Sequence, residues 1–166
     1  MFYLKKISVD DGKDIYEMLQ DIEKEENGFH NDAKDIVFAE FNDWLKKHYN
    51  YSENIGLPEE WVPQTTFWLY FGEKPVGLGR IRHYLNDTLR LDGGHVGYTI
   101  SKSCRGNGYG NEILRLLLQE CQKLGIFEVH IGAWKDNIRS NKIIIKNGGK
   151  LCRENEKKNY YIINNI

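Results

Sequence analysis

The residues best suited to chemistry in this sequence form a glycine-rich loop between a predicted strand and a predicted helix. Residues 98–110 contain Arg105, Gly106, Gly108 and Gly110 just before an apolar helical pattern. Glycine lets the main chain turn sharply with its N–H groups uncovered, and the first turn of a helix leaves its own N–H groups unpaired. Together with the helix dipole and the Arg105 guanidinium, such a loop is suited to bind a phosphate or pyrophosphate.

The spacing of this loop excludes the two commonest phosphate-binding motifs. Asn111 stands where a dinucleotide fingerprint needs its third glycine, and no Gly-Lys-Ser/Thr follows to make a P-loop. What remains is Arg105-x-x-Gly108-x-Gly110. The alternative interpretation of this short motif is a glycine-rich turn that holds no ligand.

Composition limits the class of protein. A chain of 166 residues is the size of one domain, and its net charge of -1 gives no basic field that would attract nucleic acid or an anionic membrane. No segment approaches the roughly 18 apolar residues of a membrane span. The three cysteines are widely spaced and odd in number, which fits neither a disulfide framework nor a metal site. We expect a cytoplasmic single domain, residues 1–166, that acts on small molecules or peptides without a metal.

Periodicity predicts the elements that position the loop. In the first half we expect a strand over residues 2–9, a helix capped by Asp10, and a second amphipathic helix over residues 36–45. The acidic stretch 23–32 between these helices is interpreted as a solvated loop, with a rim that attracts a cationic amine as the alternative. Residues 49–63 are expected to be irregular.

The second half carries a hairpin of strands, 66–71 and 75–85, and then a loop that Asn86 opens. A strand over residues 95–100 precedes the glycine-rich loop and a helix over 108–124. A strand over 126–133, a short helix capped by Asn137 and a terminal hairpin complete the chain. This order predicts a mixed α/β sheet with helices on its faces.

Both the loop motif and this element order resemble the GNAT superfamily of N-acetyltransferases, which keeps its acetyl-CoA pyrophosphate loop between the fourth strand and the third helix. Residues 136–142 resemble the segment that borders the cofactor in that family, and residues 82–86 and 93–98 resemble a bacterial subgroup of predicted acetyltransferases. The resemblance covers residues 66–153. It implies the acyl-CoA N-acyltransferase fold, α/β with a mostly antiparallel sheet, splayed fourth and fifth strands and flanking helices.

The resemblance also implies a set of cofactor-binding residues for acetyl-CoA as co-substrate. Main-chain groups at the end of the fourth strand bind the pantetheine arm, the loop amides bind the pyrophosphate, and the start of the fourth helix borders the arm and reaches the adenosine phosphate. In that order these residues are Tyr98, Thr99 and Ile100; Arg105, Gly106, Asn107, Gly108, Tyr109 and Gly110; and Asn137, Ser140 and Lys142.

Acyl transfer to an amine needs a neutral nucleophile and a proton for the departing thiolate. His95 is the first candidate for the catalytic base, because it lies on the fourth strand near where family members often carry a Glu. The alternative for His95 is a hydrogen-bonded structural histidine. His83 and Asp92 are the reserve candidates for the base.

The catalytic acid is where the sequence departs from the family, because Ile144 stands where many members carry a Tyr. Tyr98, Tyr109 and Tyr160 are the candidates to replace it. Four further aromatic residues are interpreted either as the lining of an acceptor cleft or as core: Trp44, Trp61, Phe67 and Trp68.

The resulting prediction is an acetyltransferase that moves the acetyl group of acetyl-CoA directly to a primary amine of a small molecule or peptide. A non-catalytic acyl-CoA sensor of the same fold is the alternative. A third hypothesis keeps the fold but transfers a longer acyl or an aminoacyl group. Dimers are common in the family, so a homodimer is one expected state.

Overall fold

Two antiparallel sheets form the centre of the protein. The computed structural model describes residues 1–166. In chain order the elements are β1 (Phe2–Lys6), α1 (Lys13–Gln20), β2 (Glu25–Glu26), β3 (Phe29–His30), α2 (Phe41–Ser52), β4 (Gln64–Phe71), β5 (Lys74–Arg82), α3 (Asp87–Leu91), β6 (Val96–Ile100), α4 (Tyr109–Lys123), β7 (Glu128–Trp134), α5 (Ile138–Lys146), β8 (Gly149–Glu154) and β9 (Lys158–Asn164). The strand order is β1-β4-β5-β6 in one sheet and β7-β9-β8 in the other, while β2 and β3 form a separate hairpin.

Helices cover both faces of the four-stranded sheet, and each face carries its own hydrophobic core. Alternating side chains of β4 belong to one core or the other. Phe67 and Leu69 join the larger core, which packs against α4 and the second sheet. Trp68 and Tyr70 join the smaller core, which packs against α1 and α2. Successive side chains of a strand point to opposite faces, so a single strand supplies both cores.

The N-terminal half departs from the predicted elements in several places. The predicted Asp10 cap is wrong, because α1 begins after Gly12 and makes no side-chain cap hydrogen bond. The predicted second helix starts late, with a 3-10 turn at Phe38–Glu40, and α2 extends to Ser52 into the stretch expected to be irregular. The loop predicted after Asn86 is instead the short helix α3, whose first turn is capped by the Asn86 side chain.

The C-terminal half follows the prediction closely. The predicted helix after the glycine-rich loop is α4, and the Asn137 side chain caps α5 by accepting a hydrogen bond from Ser140 N. The terminal hairpin is formed by β8 and β9. No helix of the chain combines the length and the apolar character that crossing a membrane requires.

The two sheets meet at one point and then separate. His95 N donates to His130 O, 2.7 Å away, immediately before β6 begins. Gly94 makes this approach possible, since a Cβ at that position would lie 2.4 Å from His130 O. Beyond this junction β6 pairs only with β5, and β7 pairs only with β9. The predicted splaying of the fourth and fifth strands of the main sheet is therefore confirmed.

Candidate active site

A cavity of about 840 Å³ lies where β6 and β7 separate. Its walls come from these strands, from β5, from the starts of α4 and α5, and from the hairpin of β2 and β3. Every residue predicted to bind the cofactor lines the cavity except Asn107. The Asn107 side chain instead donates to Cys104 O and Arg105 O, and so stabilises the loop itself.

The loop before α4 presents a run of unpaired amides. The N–H groups of residues 106–110 donate no hydrogen bond within the chain, and the first donor of the helix is Asn111 N, which reaches Gly108 O. Gly108 has φ 77°, a left-handed conformation that glycine adopts without strain. Five consecutive free donors at the positive end of a helix form an anion-binding cradle.

Arg105 links this cradle to the hairpin of β2 and β3. Its Nε donates to Ile100 O at 3.0 Å, and its Nη2 lies 2.8 Å from Glu26 Oε1. The acidic stretch is therefore more than a solvated loop, because it contains this hairpin and its Glu26 holds a residue of the cradle.

The free edge of β6 forms one wall of the cavity. Ser101 N donates to Val76 O of β5 at 3.0 Å. Since an antiparallel ladder alternates, Thr99 also directs its main-chain groups to β5, whereas Tyr98 and Ile100 direct theirs to the cavity. Ile100 O already accepts from Arg105, so Tyr98 is the residue whose N–H and C=O groups are free for an extended ligand.

The opposite wall is the start of α5. Tyr98 Oη lies 3.4 Å from Ser140 Oγ, which joins the two walls across the cavity. Burial raises the pKa of Tyr98, and its contact with Ser140 opposes that shift. Lys142 is exposed at the rim, and Ile144 is fully buried beneath the cavity.

The structure does not bring His95 into the cavity. Its side chain is 7% exposed, and its Nδ1 accepts a hydrogen bond from His130 N at 3.0 Å. Burial, followed by the charge of His130, lowers the pKa of His95 to about 4. This geometry favours the structural alternative for His95. His83 also lies outside the cavity, where its Nε2 is 2.7 Å from Thr65 Oγ1 and burial lowers its pKa.

Asp92 is the one candidate base that lines the cavity. Its carboxylate accepts from Lys158 Nζ at 2.8 and 3.0 Å and from Tyr160 Oη at 3.3 Å. Tyr160 does not line the cavity, whereas Tyr98 and Tyr109 do. Tyr109 packs its ring edge against Phe2, so its ring stabilises the start of α4.

Of the four aromatic residues considered for an acceptor cleft, three belong to the hydrophobic cores and one lines the cavity. Trp44 and Trp68 belong to the smaller core and Phe67 to the larger one, while Trp61 lines the cavity. The lining residues that sequence reasoning missed include Phe29, Arg80 and Trp134. The sequence did contain a signal for Arg80. It lies two residues after Leu78 on a predicted strand, so its side chain points to the same inward-facing side as that leucine.

Comparison with known proteins agrees with this geometry. A family model described as an acetyltransferase (GNAT) domain matches residues 2–150. Among curated proteins, none matches the chain in sequence. The chain resembles the N-acetyltransferase PseH of Campylobacter jejuni, solved in complex with acetyl coenzyme A, with a TM-score of 0.64 and 12% identity over 99% of each chain.

Two other solved structures share the fold. RimL, the ribosomal L7/L12 alpha-N-protein acetyltransferase in complex with coenzyme A, has a TM-score of 0.72 and 13% identity over 99% of this chain and 96% of its own. MccE, the microcin C7 self-immunity acetyltransferase in complex with acetyl-CoA and AMP, has a TM-score of 0.66 and 14% identity over 97% and 91%. At these identities the likeness establishes the fold.

Splayed strands beside an amide cradle define an acyl-CoA-dependent transferase of the GNAT fold. The family match extends over most of the sequence, so the chain belongs to the GNAT acetyltransferase family. Acetyl-CoA is accordingly its acyl donor, and the predicted family, fold class and enzyme class are confirmed.

Proposed function

We propose that this protein transfers the acetyl group of acetyl-CoA directly to a primary amine of a small molecule or a peptide. The observation that carries the proposal is that one cavity is lined by four residues with free amides (Gly106, Gly108, Tyr109 and Gly110), by Tyr98 with its free main-chain groups, and by Asp92. The amides of residues 106–110 bind the pyrophosphate, and Tyr98 binds the pantetheine arm. Asn137 and Ser140 border that arm, and Lys142 meets the adenosine phosphate at the rim.

Asp92 and Tyr98 each carry out one of the two proton transfers that the reaction requires. The amine nitrogen attacks the thioester carbonyl, a C–N bond forms, and the C–S bond breaks to release a thiolate. The Asp92 carboxylate takes the proton that the amine loses, and the Tyr98 hydroxyl donates to the departing sulfur. Since Ile144 leaves no hydroxyl at the position where the family often carries a Tyr, Tyr98 is the hydroxyl in the cavity that also contacts the α5 wall.

The class of acceptor agrees with what the solved relatives are described as modifying. One is an alpha-N-protein acetyltransferase of a ribosomal protein, and another is described as a nucleotide-linked sugar GNAT. We place the enzyme in the cytoplasm, a reducing compartment that suits its three free cysteines.

The test is release of free coenzyme A thiol in the presence of a panel of primary amines. We expect amine-stimulated release from the wild-type protein, and a loss of kcat of about 100-fold in Asp92→Asn with unchanged acetyl-CoA affinity, as removal of a general base predicts. Asp43→Asn is the matched control, because Asp43 is an exposed carboxylate of α2 away from the cavity.

Two results would contradict the proposal. Tight acetyl-CoA binding with no amine-stimulated thiol release from any member of the panel would favour the non-catalytic sensor. Full activity of Asp92→Asn would remove the proposed base while leaving the acetyltransferase assignment intact.

A further inference from the structure

A half-buried arginine in the wall of the cavity has two guanidinium nitrogens without a hydrogen-bond partner. Arg80 of β5 donates from Nη1 to His30 O at 2.7 Å. Its Nε and Nη2 atoms make no contact with solvent and no hydrogen bond. The Phe29 ring lies over the guanidinium, 4.9 Å from Cζ to the ring centroid. Such unsatisfied buried donors are rare in folded proteins and call for an explanation.

No carboxylate neutralises this charge. Asp32 contributes to the field at Arg80, but its oxygens are held by Trp44 Nε1, Lys47 and His48. Glu26 pairs with Arg105, and Asp92 pairs with Lys158. Burial, with the charge of Arg82 adding to it, lowers the pKa of Arg80 to about 10. The guanidinium is still charged at neutral pH, and the charge of Asp32 offsets only part of the cost of burying it.

The positions of the two unpartnered nitrogens indicate which chemical group could bind them. Nε and Nη2 lie on one edge of the planar guanidinium and carry two parallel N–H bonds. That edge matches the two oxygens of a carboxylate or of a phosphate in a bidentate contact. Trp134 Nε1, a third buried donor without a partner, lines the same cavity.

The coenzyme's own pyrophosphate does not meet this requirement. Arg80 and the amides of residues 106–110 lie on opposite faces of the four-stranded sheet. The neighbouring Gly79 faces Leu117 of α4, since a Cβ there would lie 2.5 Å from Leu117 Cδ1, whereas Arg80 contacts Phe29 and His30 of the hairpin. The missing anion therefore belongs to the other occupant of the cavity.

We propose that the amine acceptor carries an anionic group, a carboxylate or a phosphate, which binds the Nε and Nη2 edge of Arg80. The inference rests on the proposed function only in assuming that an acceptor occupies this cavity. Nε and Nη2 have no contact with solvent in the free protein, so binding requires movement of the hairpin that contacts Arg80 through Phe29 and His30. Phe29 lies in a hairpin whose strands have two residues each, so little sheet pairing opposes that movement.

The experiment compares matched pairs of amines that differ in one anionic group. Glucosamine 6-phosphate is compared with glucosamine, and alanylalanine with its carboxamide. Binding to the protein saturated with coenzyme A is measured by calorimetry, and acetyl transfer from acetyl-CoA is measured in parallel. The variants are Arg80→Gln, which removes the charge, and Arg80→Lys, which keeps the charge but removes the planar edge.

Arg115→Gln is the control, because Arg115 is an exposed arginine of α4 paired with Glu112 outside the cavity. Acetyl-CoA affinity and thermal unfolding show whether each variant is folded. In the wild-type protein we expect one anionic member to bind roughly 10- to 100-fold more tightly than its neutral twin, as charge-assisted hydrogen bonds predict. Arg80→Gln should remove that preference, Arg80→Lys should keep part of it, and Arg115→Gln should retain all of it.

Each outcome decides one question. A preference for the phosphate pair or for the carboxylate pair identifies the anion. Absence of any anion-dependent binding in the wild-type protein, or a preference that survives in folded Arg80→Gln, overturns the inference. Anion-dependent binding through Arg80 with no acetyl transfer would contradict the proposed function and leave the anion site standing.

Discussion

Tyr98 shows how one residue serves both binding and chemistry. Its main-chain groups face the cavity because of the alternation of β6, and its hydroxyl lies 3.4 Å from Ser140 Oγ of α5. Burial raises the pKa of the phenol, so the hydroxyl holds its proton at neutral pH. It is thus a hydrogen-bond donor available to a departing thiolate, which is the property a general acid needs.

We predict that Tyr98→Phe lowers kcat by about 10- to 100-fold and leaves acetyl-CoA affinity nearly unchanged, because the hydroxyl acts on the leaving group and the main chain holds the pantetheine arm. Steady-state thiol release and calorimetry measure the two effects. Tyr84→Phe is the control, since Tyr84 is an exposed tyrosine outside the cavity. Equal activity of Tyr98→Phe and the wild-type protein would show that the proton comes from elsewhere.

Local signals in the sequence were sufficient for some residues and insufficient for others. The Asn137 cap depends on a main-chain amide only three residues away, so the local sequence is sufficient to predict it. The environment of His95 depends on His130, which is 35 residues away, and on burial between two sheets. Histidine type and strand position were therefore not enough to predict its role.

At the scale of elements, the start of α4 is where the proposed pyrophosphate site can be tested most directly. Gly108 has a positive φ, and a Cβ added there would meet no atom within 4 Å. Any replacement thus costs backbone strain of about 1 kcal/mol without a steric clash. A matched pair of substitutions separates strain from charge at this position.

We predict that Gly108→Glu weakens acetyl-CoA binding at least about 100-fold, because its carboxylate lies beside amides that bind the pyrophosphate. Gly108→Ala carries the same strain without the charge and should keep measurable binding. Calorimetric titration with acetyl-CoA gives the affinities, and thermal unfolding confirms that both variants are folded. Comparable affinities in the two variants would mean that the pyrophosphate does not lie at this loop.

The hairpin of β2 and β3, like the short helix α3, is an element that the sequence analysis did not predict. Its strands have two residues each, and its composition is that of an acidic loop. The contacts that position it come from distant parts of the chain: Arg80 of β5 donates to His30 O, and Arg105 pairs with Glu26. Tertiary contacts of this kind leave no periodic pattern, whereas the apolar periodicity of α4 predicted that helix to within one residue at each end.

At the scale of the whole molecule, the junction between the two sheets makes stability depend on pH. His95 is buried at that junction as a neutral acceptor for His130 N, with a pKa of about 4. An unfolded histidine has a pKa near 6.5, so the unfolded chain binds more protons between pH 6.5 and pH 4. The contribution of His95 is fully present above pH 6.5 and declines as pH falls through that window.

We predict that the free energy of unfolding falls between pH 7.5 and pH 5 and that His95→Gln reduces the fall by about 1 to 2 kcal/mol, since a glutamine side chain accepts a hydrogen bond without titrating. Urea unfolding at the two pH values measures this. Burial also lowers the pKa of His48 and His83, so the variant retains part of the dependence. His30→Gln is the control, because His30 is exposed. An unchanged fall in His95→Gln would mean that His95 takes up its proton over the same pH range in the folded protein as in the unfolded chain, which would contradict its role as the neutral acceptor that joins the two sheets.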